Sequence, residues 1–148
     1  MSGMPPFVGA LIWLIGWRAY LRIHLPVTVF SGAMGIWLFY VQHQFEGVYW
    51  RRQDRWDPAA AAMDGSSFFR LPRVLQWFSG NIGFHHVHHL SARIPNYFLE
   101  RCHREHAALQ QVPTLDLAAS LSCFKYRLWD EQRQRLVTFA ELDGASRA

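Results

Sequence analysis

Two uncharged stretches stand almost end to end near the start of the sequence, and they constrain the fold more than anything that follows. Residues 7–17, FVGALIWLIGW, carry no charged side chain. After Arg18, Arg22 and His24 a second uncharged stretch, LPVTVFSGAMGIWLFYV, fills residues 25–41. Seventeen residues at about 1.5 Å each reach roughly 25 Å, the lower limit for a helix crossing the hydrocarbon of a bilayer. Taken over residues 5–21, the first stretch has the same length, with Arg18 near enough to its end to turn its guanidinium to the interface. Trp13, Trp17, Tyr20, Trp37 and Tyr40 are the residue types that settle at membrane interfaces. Two transmembrane helices over residues 5–41 are the expectation, with the small pair Ser31 and Gly35 open to a neighbouring helix. Two buried helices in a soluble core compete with this reading, but paired runs of such length are uncommon in so short a chain.

Composition narrows the rest. Hydrophobic residues make up 51% of the 148 positions and charged residues 18%, too apolar a balance for a disordered chain. Two cysteines exclude a disulfide scaffold. A net charge of +4 with no long basic run argues against nucleic acid as a partner. Arg51, Arg52 and Arg55 follow the second stretch, against Arg18 and Arg22 between the two, so the positive-inside rule puts the larger C-terminal part on the cytoplasmic side.

That part, residues 42–140, reads as short helices. Pro58 opens an alanine run at 59–62, Gly65, Ser66 and Ser67 break it, and a helix starts near Pro72. Gly80 and Gly83 bracket another break before a helix over His85 to Leu90, and Pro95 ends that segment. Thr114 is a candidate N-cap for a helix over 115–128. Residues 136–139 suit a short strand, and 141–148 a loose tail. The expected fold is all-α: a membrane helical hairpin followed by a cytoplasmic helical cap that carries a cluster of histidines.

The string His85-His86-Val87-His88-His89 holds half of the eight histidines. On a helix His85, His88 and His89 stand at i, i+3 and i+4, so their rings share a face. Neutral imidazole suits iron, zinc or copper, and three such rings can serve one metal or be divided between two. An exposed cluster with adventitious metal affinity is the plainer alternative. His86 lies about 100° from His85 and is assigned a supporting role. His43, just past the second stretch, is a fourth candidate, with Glu46 one turn on as an acceptor able to orient its ring. His24 falls on the far side of the membrane in this scheme. His103 and His106, beside Cys102, are assigned to a polar solvated helix face.

The strings LFYVQHQFEGVYW, GSSFFRLPRVLQWFSGNIGFHHVHHLSARIPNY and LWDEQRQRLVTF resemble the C-terminal half of integral-membrane fatty-acid desaturases, specifically bacterial relatives of the omega-6 (delta-12) acyl-lipid enzymes. The resemblance runs over about residues 11–139, and its specific element is the HxxHH box at His85, His88 and His89. It implies two non-haem iron ions held by three histidine boxes at the cytoplasmic face of a membrane, in a bacterium the inner membrane. It also implies O2, the acyl chain of a membrane lipid as substrate, and an electron donor such as ferredoxin or cytochrome b5. Trp77, Phe78 and Phe84 are candidates for lining the acyl tunnel. The family's first two boxes belong upstream of the hairpin and have no counterpart here. With metal ligands limited to His85, His88, His89 and His43, this chain holds the irons only in part. The expectation is a truncated desaturase, inactive alone or paired with a missing N-terminal half or a full-length desaturase. A lipid or carotenoid hydroxylase, a non-catalytic remnant and a membrane metal-binding protein are the alternatives.

Overall fold

A computed structural model describes residues 5–145. They fall into two compact units, divided between Leu38 and Phe39.

In the first unit, α1 (Pro6–Ile15) starts with proline in its first turn, where the missing N–H costs nothing. It stops at Gly16, whose φ of 80° lies in the region that glycine alone enters freely. α2 (Trp17–His43) then runs for 27 residues, about 40 Å at the helical rise. The hairpin expected over residues 5–41 is therefore corrected: the break is at Gly16, and the chain stays helical through Arg22, His24 and Pro26. Neither Arg22 nor His24 is a helix breaker, and His24 is served within the helix. Its ring stacks on Tyr20 at 4.9 Å and its Nε2 lies 3.4 Å from the Thr28 hydroxyl. Pro26 removes one backbone donor without interrupting the helix. Among the described residues α2 is the one helix long and apolar enough to cross a membrane, and α1 is too short.

The second unit begins in the last turn of α2, where Val41 and Gln42 are buried. Short elements follow: α3 (Pro58–Met63), β1 (Phe68–Phe69), α4 (Arg73–Phe78), α5 (His85–Leu90) and α6 (Asn96–Glu105), then β2 (Thr114–Leu115), α7 (Leu117–Ser122), β3 (Leu128–Asp130), β4 (Arg135–Val137) and α8 (Phe139–Ala145). β1 and β2 pair in parallel, Phe68 beside Thr114 and Phe69 beside Leu115. β3 and β4 form an antiparallel hairpin with Leu128 opposite Val137. The core gathers Phe84, Val87, Leu99 and Leu109, with Met63, Phe68, Ile94 and Cys102 packed on it. Helix α3 lies against α5.

Three expectations change here. The fold is mostly helical but not all-α: β1 and β2 tie distant segments together, and β3 and β4 form a local hairpin. The helix expected over 115–128 is split. Thr114 pairs with β1 instead of capping, Asp116 accepts from the Ala119 N–H at 2.8 Å and so starts α7 at Leu117, and a 3-10 turn at Cys123–Lys125 releases the chain into β3. Residues 141–145 of the expected tail belong to α8. Its start is held by reciprocal bonds between Thr138 and Glu141, 2.8 Å from the Thr138 N–H to the carboxylate and 3.3 Å from the Glu141 N–H to the hydroxyl. Residues 146–148 lie outside the described residues. The expected strand at 136–139 is present as β4, one residue earlier, while Phe139 opens α8.

Candidate metal centre

His43 ends α2, and the sequence around it fixes where it stands. The neighbouring Gln42 is fully buried, and its side-chain amide donates to the Ile82 carbonyl at 2.8 Å while its backbone carbonyl accepts from the Ser67 N–H at 3.0 Å. The first bond holds the helix end against the loop that leads into α5, and the second against the segment that leads into β1. That loop turns through Gly80 and Asn81, with φ of 64° and 58°, and Asn81 donates from its side chain to the Asn96 carbonyl at 3.1 Å. Gly83 then passes so close to the Phe69 carbonyl and the Gln76 side-chain amide that a Cβ there would collide with both. Phe69 donates from its N–H to the Gly83 carbonyl at 2.8 Å, and Phe84 stacks on Phe68 at 4.8 Å. The start of α5, and so the direction of His85, is set by these contacts.

The result is a triangle of imidazole nitrogens. The Nε2 atoms of His43 and His89 are 3.0 Å apart, those of His85 and His89 3.0 Å, and those of His43 and His85 3.3 Å. One ion with bonds of about 2.1 Å and ligand angles between octahedral and tetrahedral spaces its donors about 3.0–3.4 Å apart. His43 donates from Nδ1 to the Phe39 carbonyl, one helical turn back, at 2.8 Å. That bond fixes the tautomer and leaves the Nε2 lone pair facing the other two rings. Three nitrogens converging without enough protons to link them are a poor hydrogen-bond network and a good cation site.

The electrostatics agree. Burial, then the neighbouring His43, His89, His88 and His86, push the His85 pKa down to about 3. His89 is lowered by burial and by His43 and His88. Both rings are therefore neutral at pH 7, the form that binds metal. The buried Nδ1 of His85 has no hydrogen-bond partner.

Of the four candidate ligands, the structure brings together His43, His85 and His89. It leaves His88 outside the triangle, its ring stacked 5.8 Å from that of His85. Glu46 does not orient His43: it accepts from the Tyr126 hydroxyl at 2.9 Å, and the helix's own carbonyl does the orienting. His103 is also corrected. Far from being on a solvated face, it is half-buried on Phe68 and Phe84 and lies 3.0 Å from the fully buried His86. Burial and His103 lower the His86 pKa to about 4. The sequence signal for this pair was weak, since only tertiary packing shows that α6 turns His103 inward. Trp77 and Phe78 are exposed and Phe84 sits in the core. A cavity of about 530 Å³ does adjoin His43 and His89, walled by Trp50, Trp56 and Trp129.

Comparison with known proteins meets this geometry from the other side. The family model for fatty acid desaturases matches residues 3–117. A fatty acid desaturase of Bacillus subtilis (strain 168) is 48% identical over 126 residues, 85% of this chain and 36% of that protein. Chloroplastic omega-6 fatty acid desaturases of Arabidopsis thaliana and Brassica napus are 28% and 27% identical over 91 and 92 residues, 62% of this chain and 18% of theirs. The chain thus spans about a third of the length of the Bacillus relative and less than a fifth of the plant ones. With more than three-quarters of its residues under the family model, this chain belongs to the fatty acid desaturase family.

Proposed function

We propose that this chain supplies part of the metal centre of a membrane fatty-acid desaturase, which introduces a double bond into an acyl chain at the expense of O2. The observation that carries the reading is the triangle of Nε2 atoms 3.0–3.3 Å apart, built from the end of a long apolar helix and from a short helix more than forty residues away. His43, His85 and His89 hold one iron ion in this reading. His88, adjacent but turned aside, is left for a second. When bound, the irons supply the reductive activation of O2. The chain's own residues ligate them, keep His85 and His89 neutral and orient His43 through the Phe39 carbonyl. Removing two hydrogens from adjacent methylenes while O2 becomes two waters takes two further electrons and two protons, so a ferredoxin or cytochrome b5 class donor is the expected partner.

Helix α2 is proposed to span the membrane, in a bacterium the inner one, with residues 42–140 on the cytoplasmic side. Arg51, Arg52 and Arg55 beyond its end favour that orientation. Four imidazoles fall short of the donors that two irons take up in N/O coordination. The chain by itself is therefore expected to bind iron without desaturating.

The test is anaerobic loading of the detergent-purified chain with Fe(II) in the absence of other metals, which nitrogen sites bind more tightly. About one iron per chain at the triangle, lost in both His43→Ala and His89→Ala, is the expected result. Iron retained by both variants, or none in the wild type, overturns the reading.

A further inference from the structure

The cavity beside the triangle is charged in a particular way. Its volume, about 530 Å³, lies within the range of small-ligand sites, and no acidic residue lines it. His43 and His89 form one side and Trp50, Trp56 and Trp129 supply apolar faces. The one permanent charge in its lining is Arg127. The Nε of Arg127 donates to the Phe124 carbonyl at 2.9 Å, which steadies the guanidinium, but it forms no ion pair with any carboxylate among the described residues. Arginines on the nearby hairpin behave otherwise: Arg133 meets Asp130 and Arg135 meets Glu141. Arg52 meets Glu131 in the same way. An arginine held in place, left unpaired and facing a tryptophan-walled cavity has its fork of donors free for a carboxylate or phosphate.

We propose that this cavity binds an amphiphile by its anionic end. Arg127 pairs with the carboxylate or phosphate, and the chain leaves it along Trp50, Trp56 and Trp129 toward the His43–His89 side. The inference rests on reading the triangle as a metal centre acting on an acyl chain, and it adds which end of that chain the cap recognises. A consequence is that the reacting carbons are counted from the anionic end, because Arg127 and the triangle border the same cavity.

Photo-crosslinking of the full chain in neutral detergent tests this. The probes are palmitic acid with a mid-chain diazirine, phosphatidylglycerol carrying the same acyl group, and the matching uncharged hexadecanol. Adducts are mapped by mass spectrometry to the segments 50–56 and 127–136. An anionic probe should label these segments about tenfold more than the alcohol, and Arg127→Gln should remove about that factor, the worth of a charge-assisted bond. Arg127→Lys should restore part of it. Labelling by the acid alone identifies a carboxylate, and labelling by the phospholipid identifies a phosphate. Equal labelling by the alcohol, or labelling unchanged in Arg127→Gln, overturns the proposal. Iron content measured on the same samples separates the two readings. Labelling that ignores Arg127 while iron still depends on His43 removes the anchor alone. Iron that ignores His43 while labelling depends on Arg127 removes the metal centre and leaves an amphiphile site.

Discussion

The long helix and the histidine-bearing unit invert each other. From residue 5 to residue 40 no side chain is buried, and Val29, Phe30, Ile36 and Phe39 stand 59–73% exposed. Beyond that point the interior is well populated with polar groups: Gln42, Ser66, Ser67, Gln76, His85, His86 and Ser120 are all buried. In water each arrangement is costly, the first by exposed apolar area and the second by desolvated polar atoms. The difference teaches that the two regions answer to different surroundings. A bilayer solvates the first as proposed, while internal hydrogen bonds, and the cation proposed at the triangle, compensate the second.

The largest expected effect strikes the apolar side of this contrast. Phe30→Lys places an ammonium in the middle of α2, at a cost of about 3 kcal/mol at a bilayer centre. Much less of the variant chain should resist alkaline extraction from membranes, while Phe30→Leu should behave as wild type. If Phe30→Lys partitions like the wild type, α2 does not sit in hydrocarbon.

Glycines sharpen the comparison. Around Gly32 and Gly35 a Cβ would meet nothing within 4 Å, so Gly35→Ala should be neutral or stabilising by up to about 1 kcal/mol from helix propensity. At Gly83 the same methyl meets the Phe69 carbonyl and the Gln76 amide. Gly83→Ala should destabilise the second unit by about 2 kcal/mol in urea titrations and weaken iron binding, because it displaces the start of α5. Similar effects at the two glycines would erase the distinction.

Acid provides an effect confined to the polar interior and, for each histidine, of about the same size. His85 and His86 are held neutral in the fold, with pKa values near 3 and 4, whereas the unfolded chain takes up protons below about 6.5. Their stabilising contribution is thus complete above about pH 6.5 and is lost as pH falls toward those values. Metal-free protein should lose about 2 kcal/mol for each of these two histidines between pH 7 and pH 5. His85→Gln and His86→Gln should each flatten that slope, and an unchanged slope in both would place the proton uptake elsewhere.

How much of this was legible beforehand follows from the range of the forces involved. The helix His85–Leu90 could be read directly, because three histidines at i, i+3 and i+4 and two flanking glycines are local signals. So could α3 and the start of α4, each set by a proline. The break at Gly16 was missed because charge was weighed above backbone freedom: Arg22 and His24 looked like a turn but are compatible with a helix. The membership of His43 in the cluster was anticipated, but not the departure of His88 from it. Which of two adjacent ring directions points inward depends on Gln42, Ile82 and Phe69, which are remote in sequence. The pairing of His86 with His103 was invisible for the same reason. The reciprocal bonds of Thr138 and Glu141 are local, and the T-x-x-E spacing announces them.

The smallest effect concerns how each region makes its helices. α1 starts without a side-chain cap, and α2 has length enough to sustain itself. α3 and α7 have six residues each, too few to be stable unaided, and each is started by an aspartate. Asp57 accepts from the Ala60 N–H at 2.7 Å and Asp116 from the Ala119 N–H at 2.8 Å. Asp57→Ala and Asp116→Ala should each cost about 1 kcal/mol in urea titrations, and Asn at either position should restore most of it. The two should differ in one further respect. α3 packs against α5, the helix of His85 and His89, so fraying it should also weaken iron binding slightly, whereas α7 has no such contact prominent enough to transmit the change. An equal loss of iron affinity in both variants would mean that the triangle depends on the stability of the whole unit. A loss confined to Asp57→Ala would mean that it depends on the helix directly behind it.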